Sequence, residues 1–124
     1  MSPANCVALT RYFFTEAERP SADLDSQLDH AGASVDHLVQ RGLLPYQREA
    51  LVCLASDVEA GYASSPSISF EKSFLLIAVN KGMFQIAAAE FHAFCYVRGK
   101  LHPRAWQKRR AEQFLFSRGQ LLFE

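Results

Sequence analysis

The stretch Gly99 to Phe116, GKLHPRAWQKRRAEQFLF, gathers Arg104, Lys108, Arg109 and Arg110 around the chain's single tryptophan. Basic residues beside an aromatic ring are the raw material of a phosphate-binding helix, because cations neutralise phosphates and an indole offers a stacking face. The same composition suits a helix lying on an anionic membrane surface. On a helix opening at His102-Pro103, however, Trp106, Ala111, Phe114 and Leu115 form an apolar stripe. Arg110 and Gln113 border that stripe, while Arg104, Lys108 and Arg109 project elsewhere. A base-reading helix needs exposed polar readers and a basic surplus, and a membrane helix has to leave the core. The pattern therefore predicts a terminal core helix with a solvated basic face. Nucleic-acid binding through it is a minor alternative.

Other reactive residue types are more scattered. Asp29-His30 and Asp36-His37 recur seven residues apart, near one helix face, and two histidines with two carboxylates are a conceivable metal set. The expectation is a solvated polar face with no metal. Cys6, Cys53 and Cys95 lie far apart in apolar surroundings and make no C-x-x-C pair. They read as buried free thiols in a reducing cytoplasm. Phosphate-loop, dinucleotide, nucleophile-elbow and zinc-protease motifs are all absent, so no cofactor is expected.

The whole composition narrows the choice further. The chain has 124 residues, enough for one core, with 49% hydrophobic and 21% charged residues and a formal net charge of zero. No global field draws it to polyanions. Charge is nonetheless uneven: residues 1–60 hold nine of the thirteen acids, and residues 98–118 hold seven of the thirteen bases. The N-terminus, MSPANCVALTRYFF, lacks a basic stretch ahead of a long apolar run, and no apolar run approaches a membrane span. A cytoplasmic location is expected.

Helices must position these residues. Ser2-Pro3 is a good helix start, and the run that follows fades at Glu18-Arg19-Pro20. Ser21 is placed to cap a second helix, where Leu24, Leu28, Ala31, Val35 and Leu38 fall four, three, four and three apart. Gly42 ends it and Pro45 opens a third, with Leu51, Leu54, Ala55 and Val58 on one stripe. Residues 61–69 form a loop, a fourth helix is expected over about Phe70–Asn80, and a fifth over Met83–Arg98 with Gly99 as its terminal glycine. The sixth begins at Pro103. No segment shows strand alternation, so the expectation is an all-α single domain over residues 1–124, a compact bundle of about six helices.

From Leu38 to Phe116 the sequence resembles the C-terminal helical lobe of phage-type lysozymes, glycoside hydrolase family 24. LVQRGLLPYQREALVCLASDVEAGY is similar to the family's helix that opens L-x-x-x-Q-x-x-A-L and ends in an F-N-x-G turn. SFLLIAVNKGMFQIAAAEFHAF resembles its S-T-L-L-x-x-L-N-x-G helix pair, and LHPRAWQKRRAEQFLF its R-R-x-x-E closing helix. ALTRYFFTEAERP resembles the first helix, whose family version ends in Glu-Gly with the glutamate as catalytic acid; here the pair is Glu16-Ala17.

The resemblance implies a muramidase scaffold, and the departures from it bear on the chemistry. The family follows its first helix with a small β-lobe, including a G-x-P-T-I-G-x-G-H-T hairpin, as the far wall of the sugar cleft. Between Pro20 and the second helix this chain has only a few residues. Asp25 keeps the family's acid-to-aspartate spacing from Glu16, but it sits in SADLDSQLDH, which reads as a helix start, so the spacing is taken as coincidence. Glycoside hydrolysis needs a protonated acid and a second carboxylate, with the acid's pKa raised by a partly desolvated cleft. With one wall missing, Glu16 is expected exposed and of ordinary acidity.

The expectation is thus an inactive lysozyme-like protein of phage or prophage type serving as a binding module, an inhibitor or regulator of lysis or host defence. Its contact surface is expected where the lobe is missing, at Arg19 and Asp23 with the turn carrying Asp57, Glu59 and Tyr62. A bacterial or phage protein is the expected partner. Peptidoglycan is the alternative, either bound or hydrolysed through Glu16.

Overall fold

The structure, a computed structural model, describes residues 4–65 and 69–123. Six α-helices among these residues pack as a bundle: α1 (Ala4–Phe13), α2 (Leu24–Leu38), α3 (Pro45–Glu59), α4 (Phe74–Asn80), α5 (Phe84–Glu90) and α6 (Pro103–Arg118). A 3-10 turn, Phe91–Phe94, follows α5, and a two-stranded antiparallel hairpin, β1 (Tyr96–Val97) and β2 (Lys100–Leu101), precedes α6.

α3 is the central helix. Ala50 to Asp57 are buried without interruption, so this helix meets neighbours all round rather than along one stripe. Pro45 stands in its first turn, and the Leu44 N–H donates to Gln47 Oε1 at 2.9 Å, satisfying one otherwise orphaned donor. α2 lays the predicted face of Leu24, Leu28, Ala31 and Val35 against the core. α6 opens at Pro103, where His102 Nδ1 accepts the Ala105 N–H, and closes at Gly119. Gly119 has φ +70, and a Cβ there would meet the Tyr46 ring at 2.9 Å, so both backbone and space require glycine. Leu9, Phe13, Leu28, Leu51, Leu75, Phe91 and Phe116 belong to one buried cluster that draws on every helix.

Several boundaries differ from the sequence reading. The Ser2-Pro3 start lies outside the described residues. α1 stops at Phe13, and Thr15 to Pro20 form turns. Ser21 contributes its carbonyl, not its hydroxyl, to the α2 start, accepting from the Leu24 N–H, and Asp23 takes the cap position. α4 begins after Ser73, whose Oγ accepts the Leu76 N–H, which leaves Phe70 in the core but outside the helix. The fifth helix ends at Glu90 instead of Arg98. Arg98 (φ 53) and Gly99 (φ 78) are both left-handed, the two-residue turn that matches hairpin twist. Arg98-Gly99, read as a helix terminus, is thus a hairpin turn, and the chain is not wholly without strand.

Candidate functional site

α6 turns its charges inward. Lys108, Arg109 and Glu112 are fully buried beside Ala105, Ala111, Leu115 and Phe116, which corrects the expectation of a solvated Lys108 and Arg109. Only Arg104 and Arg110 of the four basic residues are exposed. The reversal has a cause in α3, where Asp57 sits one turn past Cys53 on the face that meets α6. Asp57 Oδ2 accepts from Lys108 Nζ at 2.7 Å and from Arg109 Nη2, and Oδ1 accepts from Arg19 Nε at 2.8 Å. Glu112 takes a second bond from Lys108 Nζ at 2.7 Å, as the i,i+4 spacing allows, and one from Arg109 Nη2 at 2.7 Å. Arg109 Nε also lies 2.6 Å from Glu112 Oε1, an ion pair outside hydrogen-bond geometry. Three buried cations thus share two buried carboxylates.

Arg19 reaches this cluster from the α1–α2 connection. It is fully buried, donates to Gln27 Oε1 at 2.6 Å, and sits over the Tyr62 ring at 4.7 Å. Burial alone would raise the Asp57 pKa, but the charges of Lys108, Arg109 and Arg19 hold it well below the usual carboxylate range. Burial would lower the Lys108 and Arg109 pKa values. The carboxylates outweigh it, so both are raised, with Asp57 the leading charge on Lys108 and Glu112 on Arg109. Arg19 and Asp57, expected as surface contacts, are therefore internal ties among the α1–α2 link, α3 and α6.

Glu16 lies three residues from Arg19 in opposite surroundings. It is exposed, as expected, but its acidity is not ordinary. Its oxygens accept from the Ser21 N–H at 2.7 Å, from the Ser21 hydroxyl, and from Arg11 Nη1 at 2.7 Å. The Ser21 backbone bond first, then its hydroxyl and the Arg11 charge, lower the Glu16 pKa. Asp25 is exposed in the first turn of α2, and none of residues 14–23 forms a strand.

Beside this connection lies an open groove of about 560 Å³. Phe14 and Glu18 of the α1–α2 connection, the hairpin residues Arg98 and Lys100, and Tyr62 and His102 are among the residues that line it. Glu18, which sequence reasoning passed over, accepts the Thr15 N–H at 2.9 Å and Arg104 Nη1 at 3.1 Å; the Thr15 bond leads in lowering its pKa. Its signal in the sequence is the Thr15-x-x-Glu18 spacing of reciprocal turn bonds, completed by the Glu18 N–H to Thr15 Oγ1 at 3.2 Å. Of the expected contact residues, Tyr62 lines the groove, Asp23 is exposed on the α2 cap, and Glu59 is bound to His30 Nδ1 at 2.6 Å. Trp106, expected inside, is 42% exposed and packs on His92. The three cysteines are buried and free.

Among the described residues no cluster of three or more His, Cys, Asp or Glu is arranged to hold a metal, and no helix is long and apolar enough to cross a membrane. Residues 5–113 match the family model described as phage lysozyme. The match spans both stretches in which the sequence resembles the family, the first-helix segment ALTRYFFTEAERP and the blocks from Leu38 onward. No curated protein matches the chain.

Proposed function

The chain belongs to the phage lysozyme family, and from that premise we propose that it is a non-hydrolytic member that works by binding. The observation that carries this reading is the carboxylate of Glu16, the residue that the resemblance of ALTRYFFTEAERP to the family's first helix puts in the acid's place. A general acid must hold its proton near the working pH, which requires a raised pKa in a desolvated cleft. Glu16 is exposed, and Ser21 and Arg11 favour its ionised form. Glu18, the nearest carboxylate in the groove, is likewise held ionised, by Thr15 and Arg104. Neither is set to protonate a leaving oxygen. Purified protein should clear a peptidoglycan suspension no faster than its Glu16→Gln variant; robust clearing lost in that variant restores the muramidase reading.

The contact surface in this proposal is the groove between Glu18 and the hairpin. Arg98 and Lys100 stand there on the hairpin, and a protein partner of bacterial or phage origin would meet them with carboxylates. A second reading, retention of peptidoglycan strands, is favoured by the half-buried ring of Tyr62 in the same groove. Cosedimentation with purified cell-wall sacculi, lost on Tyr62→Ala, would select it over the protein partner.

A further inference from the structure

Away from the groove, α4 and α5 fold back on each other across the Lys81-Gly82 turn and carry an apolar stripe that stays exposed among the described residues. Phe74 is 67% exposed, Ile77 45%, Met83 44% and Ile86 49%. These are four of the nine large exposed hydrophobic side chains among the described residues, and all four line one shallow depression. Isolated exposed apolar residues are ordinary; this set is contiguous and on the order of 400 Å² per molecule, a size at which the charges on its rim decide what it fits.

The charges around the stripe indicate what covers it. Lys81 borders the depression from the turn, and Glu90 borders it from the far end of α5. A seven-residue helix separates them by about 10 Å. Neither has an ion-pair partner among the described residues. The stripe is thus positive at one end and negative at the other. A twofold axis through its middle, between Ile77 and Ile86, reverses its direction in a second copy. Lys81 of each copy then meets Glu90 of the other while the four apolar side chains close face to face. The zero net charge leaves no long-range repulsion between copies.

We propose that the α4–α5 stripe is a homodimer interface, self-complementary through paired Lys81–Glu90 contacts. It is independent of the groove and of the binding role proposed for it. About 400 Å² from each copy makes roughly 800 Å² in total, below the range of stable specific interfaces, so a weak, transient association in the upper micromolar range is expected. Sedimentation equilibrium of the full chain from about 5 to about 500 μM should show a monomer–dimer equilibrium. Ile86→Asp should raise the dimer dissociation constant at least about tenfold, by placing a charge in the apolar centre. Glu90→Lys should raise it by about tenfold, by setting like charges opposite Lys81. The double variant Lys81→Glu/Glu90→Lys should return it to within about threefold of the original, a recovery that damage to folding could not mimic. Tyr62→Ala should leave it unchanged. A chain monomeric at every concentration, a dimer indifferent to Ile86→Asp, or a double variant no tighter than Glu90→Lys would each overturn the proposal.

Discussion

Glu16 and Arg19 stand on the same short connection, yet one belongs to water and the other to the interior. Around Glu16, Arg11 and Ser21 form a cluster open to solvent, where screening leaves each contact little weight in stability. Around Arg19, the ions Asp57, Lys108, Arg109 and Glu112 are all buried, and each is held by fixed partners. The residue types are nearly the same. Burial decides that the second set is part of the fold, because a buried charge that loses its partner has no water to turn to. Conversely, the groove beside Glu18, with its hairpin cations and the ring of Tyr62, is open at the surface.

The contrast is sharpest at Asp57. Replacing it with asparagine leaves three buried cations with one carboxylate, and should cost about 3–5 kcal/mol in urea unfolding. The pH dependence follows from the sign of its shift. The folded pKa is depressed, so Asp57 contributes stability above its unfolded value of 3.8, and that contribution fades as pH falls from about 4 toward the folded value. Stability of the parent chain should therefore drop over this acid window, and the Asp57→Asn variant should show a shallower drop. A variant as stable as the parent would mean that the buried cluster is dispensable.

Lys108→Met is a milder break. It removes one of the three cations, and Asp57 keeps Arg19 and Arg109 while Glu112 keeps Arg109. The thioether also fills part of the vacated space. A loss of about 1–3 kcal/mol is expected in the same unfolding experiment. A loss equal to that of Asp57→Asn would show that the ammonium, with its contact to Cys53 Sγ at 3.1 Å, is the keystone rather than the carboxylate.

The bundle was legible because its signals are local. The four-three spacing of α2, Pro45 ahead of α3 and His102-Pro103 ahead of α6 each mark an element where the structure has one. The hairpin was not legible, since Arg98-Gly99 after a long apolar helix reads equally as a helix end, and only pairing of Val97 with Lys100 reveals the turn. The charges of α6 were misplaced for a related reason. Whether Lys108 faces water depends on an acid fifty-one residues away, and helix periodicity does not contain that information. A clue did exist: Asp57 follows the apolar run Ala50–Ala55 with only Ser56 between, a stretch that leaves α3 no solvent face, and an acid there needs cations. Lys108 and Arg109, four and three residues before Glu112, were spaced to supply them. The groove was legible only in part, through Tyr62, because its hairpin wall was invisible.

The smallest effect is the most direct test of the functional account. If Glu16 is the ionised centre of a surface turn and not a proton donor, its carboxyl carbon, followed by NMR as pH is varied, should titrate below the ordinary value of 4.5. The Arg11→Ala variant should move that midpoint upward, since the guanidinium charge favours the ionised form. A midpoint raised well above 4.5, toward the range in which a general acid keeps its proton, would contradict the account and return Glu16 to catalysis.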